Sequence, residues 1–291
     1  MKIAIYGKRV IDNYLPLISI LFENLLKRKV AVFIYQPFYD FLSQQIELDK
    51  NLKTFNNHQD IYDSNYLFCI GGDGTLLDTI TLVRDKDIPI LGINTGRLGF
   101  LTSITTEEID GAINDVLAGK FYLDTRTLLS LQTDNNLFGD DNYALNEITI
   151  QKKDSSSMIT IHAYLGDEFL NSYWADGLII STPTGSTAYS LSCGGPIILP
   201  GSGNIIINPI APHNLNVRPI VIPDDIELIL KVEGRTGNFL VALDSRSFAV
   251  PFSTSIKIKK AKHTINIIRF EKNSFLNTLR TKLMWGLDKR N

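Results

Sequence analysis

The run Gly71-Gly72-Asp73-Gly74-Thr75 follows the apolar stretch Tyr66–Ile70 and precedes the helical pattern Leu76–Val83. Glycines permit positive φ and close backbone approach, and a helix N-terminus directs unpaired N–H groups and a positive dipole outward, so a phosphate fits this turn. A purely structural turn accounts for one or two of the glycines and for no acid among them. Because a carboxylate repels phosphate unless it serves a hydroxyl or a metal beside it, Asp73 is the candidate general base. A carboxylate with a pKa of about 3.9 does not strip an alcohol beforehand. It orients the hydroxyl and takes its proton late in a loose phosphoryl-transfer transition state. Metal ligation and capping of the following helix remain the other two roles open to Asp73.

A second loop, Asn94 to Leu101, follows the strand-like run Ile88–Ile93 and is expected on the same sheet edge as the glycine loop, flanking one crevice. Its Arg97 is a candidate phosphate partner or a solvent-exposed turn residue. Asn146-Glu147 interrupts an alternating strand, Tyr143–Ile150, and neighbours on a strand face opposite sides, so both cannot bury in one apolar core. The pair either hydrogen-bonds a ribose or base edge, or leaves one residue facing solvent at a bulge. From Asp176 to Pro196 a strand enters a turn rich in hydroxyls and glycine, then a short helix. Thr184, Ser186 and Thr187 are candidates to cap that helix or bind a polar ligand, and Tyr189 offers a face to an aromatic ring.

The elements that must position these residues fall into two textures. Up to about residue 125, strand and helix signals alternate, with strands at Lys2–Tyr6, Val30–Tyr35, Tyr66–Ile70 and Ile88–Ile93 and a capping box at Thr105 to Glu108, which argues for a parallel sheet covered by helices. Beyond it, short alternating runs such as Met158–Leu165, Glu168–Trp174, Ile226–Val232, Phe239–Leu243 and Ile256–Ile258 give a β-rich second domain. The expected domains are 1–125 and 126–272, with a C-terminal helical segment, 273–291, packing back on the first. The net charge of −2 gives no general reason to bind nucleic acid or an anionic membrane. No apolar run approaches bilayer length, and the N-terminus reads as a strand, so the cytoplasm is the default location. The 2 cysteines, Cys69 and Cys193, have no CxxC spacing, and the 4 histidines form no metal-ligand pattern, so reduced thiols and no protein-built zinc site are expected.

Together GGDGT, the NxGxLGF loop at Asn94 to Leu101, the Asn146-Glu147 pair and the DGxxxSTPTGSTAYxLSxGGP segment at Asp176 to Pro196 resemble the NAD kinase family, in the family's order. Pro212 to Pro219 and Leu243 to Arg246 look like further family segments. The resemblance implies an N-terminal Rossmann-like α/β domain, a C-terminal β-rich, β-sandwich-like domain, and an NAD site between them in a homodimer or homotetramer. It implies phosphorylation of the adenosine-ribose 2′-hydroxyl of NAD by ATP with Mg²⁺, and whether polyphosphate can replace ATP is left open by the sequence. Asp73 then becomes the proton acceptor, Gly71, Gly72, Gly74 and Thr75 the phosphate loop, and Asp73, Gly74, Asn146, Glu147, Asp176, Thr184, Thr187, Ala188, Tyr189, Ser190, Leu191, Ser192 and Ala211 the dinucleotide contacts. Trp174 stands where many relatives carry a basic residue and Arg246 where many carry glutamine, both beside the dinucleotide.

Two other classes compete. A diacylglycerol-type lipid kinase shares GGDGT but gives no reason for Asn146-Glu147 or the Thr184–Ser192 segment. A non-catalytic NAD(H) sensor would tolerate loss of Asp73, which this chain retains.

Overall fold

The computed structural model describes residues 1–49, 51–96, 98–102, 104–153, 158–235 and 237–285. The chain divides into two compact units, Met1–Thr125 with the residues from Ile265 onward, and Arg126–Thr264.

In the first unit the buried apolar run of β1 (Lys2–Gly7) leads into α1 (Leu15–Lys27), which opens with Pro16 in its first turn and buries Leu15, Ile18, Leu21, Phe22 and Leu25 at helical spacing. There follow β2 (Ala31–Tyr35), α2 (Gln36–Leu42), β3 (Lys53–Phe55), β4 (Tyr66–Ile70), α3 (Asp73–Val83), β5 (Ile90–Asn94), β6 (Ile104–Thr105) and α4 (Ile109–Leu117). The expected capping box forms before α4, where Glu108 accepts the Thr105 N–H at 3.1 Å. The strands are parallel in the order β5-β4-β1-β2-β3. From β1 the chain moves to β2 on one side and later returns to β4 on the other. The order therefore reverses between β1 and β4, whose last residues Gly7 and Ile70 are register partners. Ligands of open parallel sheets collect at such a carboxyl-end switch point.

The second unit is almost entirely β. It comprises β7 (Tyr122–Thr133, shared with the first unit), β8 (Tyr143–Ala144), β9 (Glu147–Lys152), β10 (Ile159–Leu165), β11 (Glu168–Ala175), β12 (Gly177–Ser181), the short α5 (Tyr189–Ser192), β13 (Asn204–Ile210), β14 (Ile220–Pro223), β15 (Leu228–Glu233), β16 (Asn238–Leu243), β17 (Arg246–Pro251) and β18 (Ile256–Arg269). An antiparallel sheet runs β14-β13-β12-β9-β16-β17. A second layer holds β11, β10, β15 and the start of β18. Their inward residues share one core, in which Ile148, Ile150, Leu178, Ile180 and Val241 meet Ile161, Leu230 and Ile258. That is the sandwich-like packing expected of alternating strands.

The second unit ends at Thr264, inside β18, rather than at residue 272. A single 14-residue strand carries the chain out of it, and its later residue Ile267 pairs with Ile90 of β5 in the first unit. The helical pattern near the C-terminus becomes α6 (Phe275–Leu283), capped by Ser274 accepting the Asn277 N–H at 3.2 Å.

Candidate active site

The glycine loop begins where β4 ends, so its position follows from the buried run Tyr66–Ile70. Gly72 is the N-cap of α3, and Cβ atoms built on Gly72 and Gly74 would meet nothing within 4 Å. Among the described residues the N–H groups of Gly72, Asp73 and Gly74 meet no acceptor, while those of Thr75 and Leu76 turn back to the Gly72 carbonyl. Unpaired donors at a helix N-terminus with open space in front of them form an anion site.

Asp73 does not cap its own helix. Its carboxylate reaches across to the second loop and accepts four hydrogen bonds: from Phe100 N–H on Oδ2 at 2.7 Å, and on Oδ1 from Leu101 N–H at 3.0 Å, Thr102 N–H at 2.9 Å and Thr102 Oγ1 at 2.9 Å. Three donors saturate Oδ1, so Oδ2, with one donor, retains a lone pair for another partner. Two glycines make this contact sterically possible. A Cβ on Gly99 would overlap Asp73 Oδ1, and one on Gly92 of β5 would lie 2.9 Å from the Thr102 Cα. Thr102 is held in turn by Asn94 Nδ2 at 2.8 Å. Sequence reasoning placed both loops on one edge but did not find Thr102. Arg97 lies outside the described residues.

In the second unit both Asn146 and Glu147 are buried, which overturns the alternative that one of them faces solvent. The expected strand Tyr143–Ile150 is broken between β8 and β9, and the break has a visible cause. The Asp244 carboxylate accepts the N–H groups of Leu145 at 2.8 Å, Asn146 at 2.8 Å and Glu147 at 3.1 Å, taking donors that would otherwise seek a neighbouring strand. Asp244 achieves this from a left-handed conformation, φ 52°, just beyond β16.

The buried Glu147 carboxyl is pushed up to about 8, first by burial and then by the neighbouring Asp244 charge, with the Tyr189 backbone N–H opposing. Its Oε2 has no partner among the described residues. Burial raises Asp244 as well, against the lowering effect of three backbone N–H groups and the Arg246 charge.

The hydroxyl-rich segment divides its labour. Thr184 accepts from the buried Arg126 at 3.1 Å, Ser186 donates to the Pro183 carbonyl at 2.7 Å and accepts from Ile198 N–H at 3.0 Å, and Ser190 accepts from the buried Asn208 at 2.9 Å on its carbonyl and 3.2 Å on its hydroxyl. These side chains shape the turn. Thr187 donates to the Thr184 carbonyl at 3.2 Å, Ala188 and Leu191 are partly exposed, and Tyr189 and Ser192 are exposed. Tyr189 accepts a hydrogen bond from Gln151 at 3.3 Å, leaving its ring face open.

Asp176 pairs with Lys152 at 2.6 Å, a partner the sequence did not reveal. Trp174 is half exposed, its ring 5.6 Å from that of His213. Ala211 is exposed at φ 43°, an uncommon backbone for a side-chain-bearing residue. Arg246 donates to the carbonyls of Asp141 and Tyr143, so part of its guanidinium is spent on the 139–143 turn.

A parallel sheet whose switch-point loop offers free N–H groups and a fixed carboxylate, joined in one chain to a β-sandwich presenting buried carboxyls and an open tyrosine, defines a phosphotransferase of the two-domain α/β plus β class. Comparison with known proteins narrows the class. The ATP-NAD kinase N-terminal domain pattern matches residues 20–121 and the ATP-NAD kinase C-terminal domain pattern residues 145–270. NAD kinase of Flavobacterium psychrophilum is 49% identical and that of Cytophaga hutchinsonii 46% identical, each over 100% of both chains. Among solved structures, yeast NADH kinase complexed with NADH superposes with a TM-score of 0.87 at 23% identity, covering 98% of this chain and 88% of its own. An NAD kinase from Archaeoglobus fulgidus in complex with ATP gives 0.73 at 24%, covering 97% and 99%. The chain belongs to the NAD kinase family.

Proposed function

We propose that this chain transfers the γ-phosphoryl group of ATP to the 2′-hydroxyl of the adenosine ribose of NAD, with Asp73 as the proton acceptor. The 2′-oxygen forms the new bond to phosphorus, the bond from γ-phosphorus to the β,γ-bridging oxygen breaks, and ADP leaves with that electron pair. The hydroxyl proton passes to Asp73 Oδ2. The observation that carries this reading is the fixed Asp73 carboxylate, with one lightly loaded oxygen, at the first turn of a helix whose free N–H groups suit phosphate.

Asn146, Glu147, Asp176, Thr184, Thr187–Ser192, Trp174, Ala211 and Arg246 are the proposed dinucleotide residues. The open Tyr189 face and the unpartnered Glu147 Oε2 support that assignment. Among the described residues no three His, Cys, Asp or Glu side chains cluster to hold a metal, and Asp73 already has four donors. Magnesium then enters mainly on the phosphates of ATP, and the lone pair left on Asp73 Oδ2 serves the hydroxyl. No helix among the described residues is long and apolar enough to cross a membrane.

The deciding assay incubates purified protein with Mg-ATP and NAD, then detects NADP with a strictly NADP-dependent dehydrogenase, with diacylglycerol as a parallel acceptor. NADP formation with no phosphatidate is the expected result. Phosphatidate without NADP would overturn the reading.

A further inference from the structure

Arg269 ends β18 among the buried side chains of Ile265, Ile267 and Ile268, and it is itself only 3% exposed. A cation is buried so deeply only where it is paired. Its Nε donates to the Asp124 carboxylate at 3.3 Å, and its Nη2 donates to the Phe100 carbonyl at 2.6 Å, a short charge-assisted contact within the first unit. Beside it Thr125 Oγ1 donates to Asn266 Oδ1 at 2.8 Å, tying the same two stretches of chain together. The guanidinium is thus fixed at its base and at its fork.

The Phe100 carbonyl belongs to the same peptide unit as the Leu101 N–H, which Asp73 Oδ1 accepts at 3.0 Å. That peptide is trans, so its two polar ends point in opposite directions and it spans the space between the guanidinium and the carboxylate. A cation on the carbonyl polarises the peptide and strengthens the hydrogen bond that its N–H gives. Without the cation the peptide is free to turn, and Oδ1 is then held by Thr102 alone. The Phe100 side chain is braced by the same C-terminal segment. Its ring lies 6.1 Å from that of Phe275 on α6, and Lys282 Nζ stands 4.8 Å from its centroid.

We propose that Arg269 is a positioning residue for the phosphoryl transfer: by holding the Phe100–Leu101 peptide it aims the Leu101 N–H at Asp73 Oδ1 and keeps Oδ2 turned to the hydroxyl, with α6 as a second brace on Phe100. The proposal rests on the kinase reading and adds the residue through which the C-terminal segment acts on the acceptor carboxylate. Arg269 works through the peptide and not on substrate. Its loss therefore lowers kcat and spares the binding of NAD and ATP.

The test uses the full-length protein and Arg269→Lys, which keeps a cation but replaces the planar fork with a point donor that cannot serve both Asp124 and Phe100. Its kcat is expected to fall about tenfold to a hundredfold, the penalty of a misplaced reacting group, while the KM values for NAD and ATP stay within about twofold. In an Asp73→Asn background the same substitution should lower kcat by less than about twofold, because the group it positions is already gone. A residue that merely stabilises the fold would lower kcat by the same factor in both backgrounds. An Arg269→Lys protein with wild-type kcat, or with equal losses in the two backgrounds, overturns the proposal. Phe275→Ala, on the partly exposed helix, covers the case in which Arg269→Lys does not fold: kcat is expected to fall with both KM values unchanged, and a wild-type kcat overturns the brace. Amide exchange supplies a readout without turnover. Protection of the Leu101 and Thr102 amides is expected to drop at least about tenfold in Arg269→Lys, or in Phe275→Ala where that variant replaces it, while that of β4 holds, and unchanged protection overturns the proposal. Lost protection in a protein whose wild type forms no NADP would refute the kinase reading and leave the peptide brace standing.

Discussion

Gly99 and Asp73 occupy adjoining space so completely that a Cβ on Gly99 would overlap the Asp73 Oδ1 atom. The contact joins the two sequence motifs of the first unit into one piece, because the carboxylate carried by the glycine loop is also the acceptor for the N–H groups of residues 100–102.

Gly99→Ala should therefore act on chemistry more than on folding. The added methyl must push the carboxylate or the loop aside, an overpacking cost of roughly 1–3 kcal/mol. Urea unfolding is expected to show a loss in that range, and kcat a fall of at least tenfold with the KM for NAD less affected. A variant with wild-type kcat would mean the carboxylate position is unimportant.

The Asp244 carboxylate holds three consecutive N–H groups at Leu145 to Glu147, so Asp244→Asn puts an amide where two acceptors stood. At least one buried donor loses its partner, costing roughly 1–3 kcal/mol. The strand break also loosens, and the KM for NAD should rise more than kcat falls, as for a residue that positions its neighbours. Unchanged stability and KM would remove Asp244 from the site.

Glu147 gives a pH signature. Its folded-state carboxyl is raised to about 8 from the ordinary value of 4.5, so between those values the folded protein holds a proton that the unfolded chain releases. Stability from this group thus falls as pH rises through that window and is level below it. Glu147→Gln mimics the protonated form, and its urea midpoint is expected to decline less than wild type between pH 6 and 8.5 (roughly spanning the window's upper half). Parallel declines would show that Glu147 ionises normally.

Much of this site was legible before the structure. The glycine loop, its acid and the hydroxyl-rich segment announce themselves because they break the apolar periodicity around them, and β1, β4 and β5 lie within two residues of the expected strands. What stayed hidden was long-range. Asp244 is separated from Asn146 by 98 positions, and nothing in Leu243-Asp244-Ser245 signals a left-handed turn at a residue other than glycine. Likewise β18 was expected only over Ile256–Ile258, because Lys257 to His263 reads as a polar run, yet the strand continues to Arg269. Strand β13 was masked by Pro209 within it and by the Gly/Pro-rich stretch before it.

The proposed role of Asp73 as proton acceptor in phosphoryl transfer to NAD is tested by Asp73→Asn under saturating Mg-ATP and NAD. The amide still accepts from Leu101 and Thr102 through its oxygen but sets an NH₂ against the Phe100 N–H, so some loss of stability accompanies the change. Thr102→Val supplies the comparison, loosening the same loop while keeping the carboxylate. With both variants folded at the assay temperature, Thr102→Val should stay within about tenfold of wild type, whereas Asp73→Asn loses at least about a hundredfold in kcat, in the range typical of a general base. An Asp73→Asn protein that retains more than about a third of wild-type kcat, against that general-base range, would mean that Asp73 is not the proton acceptor.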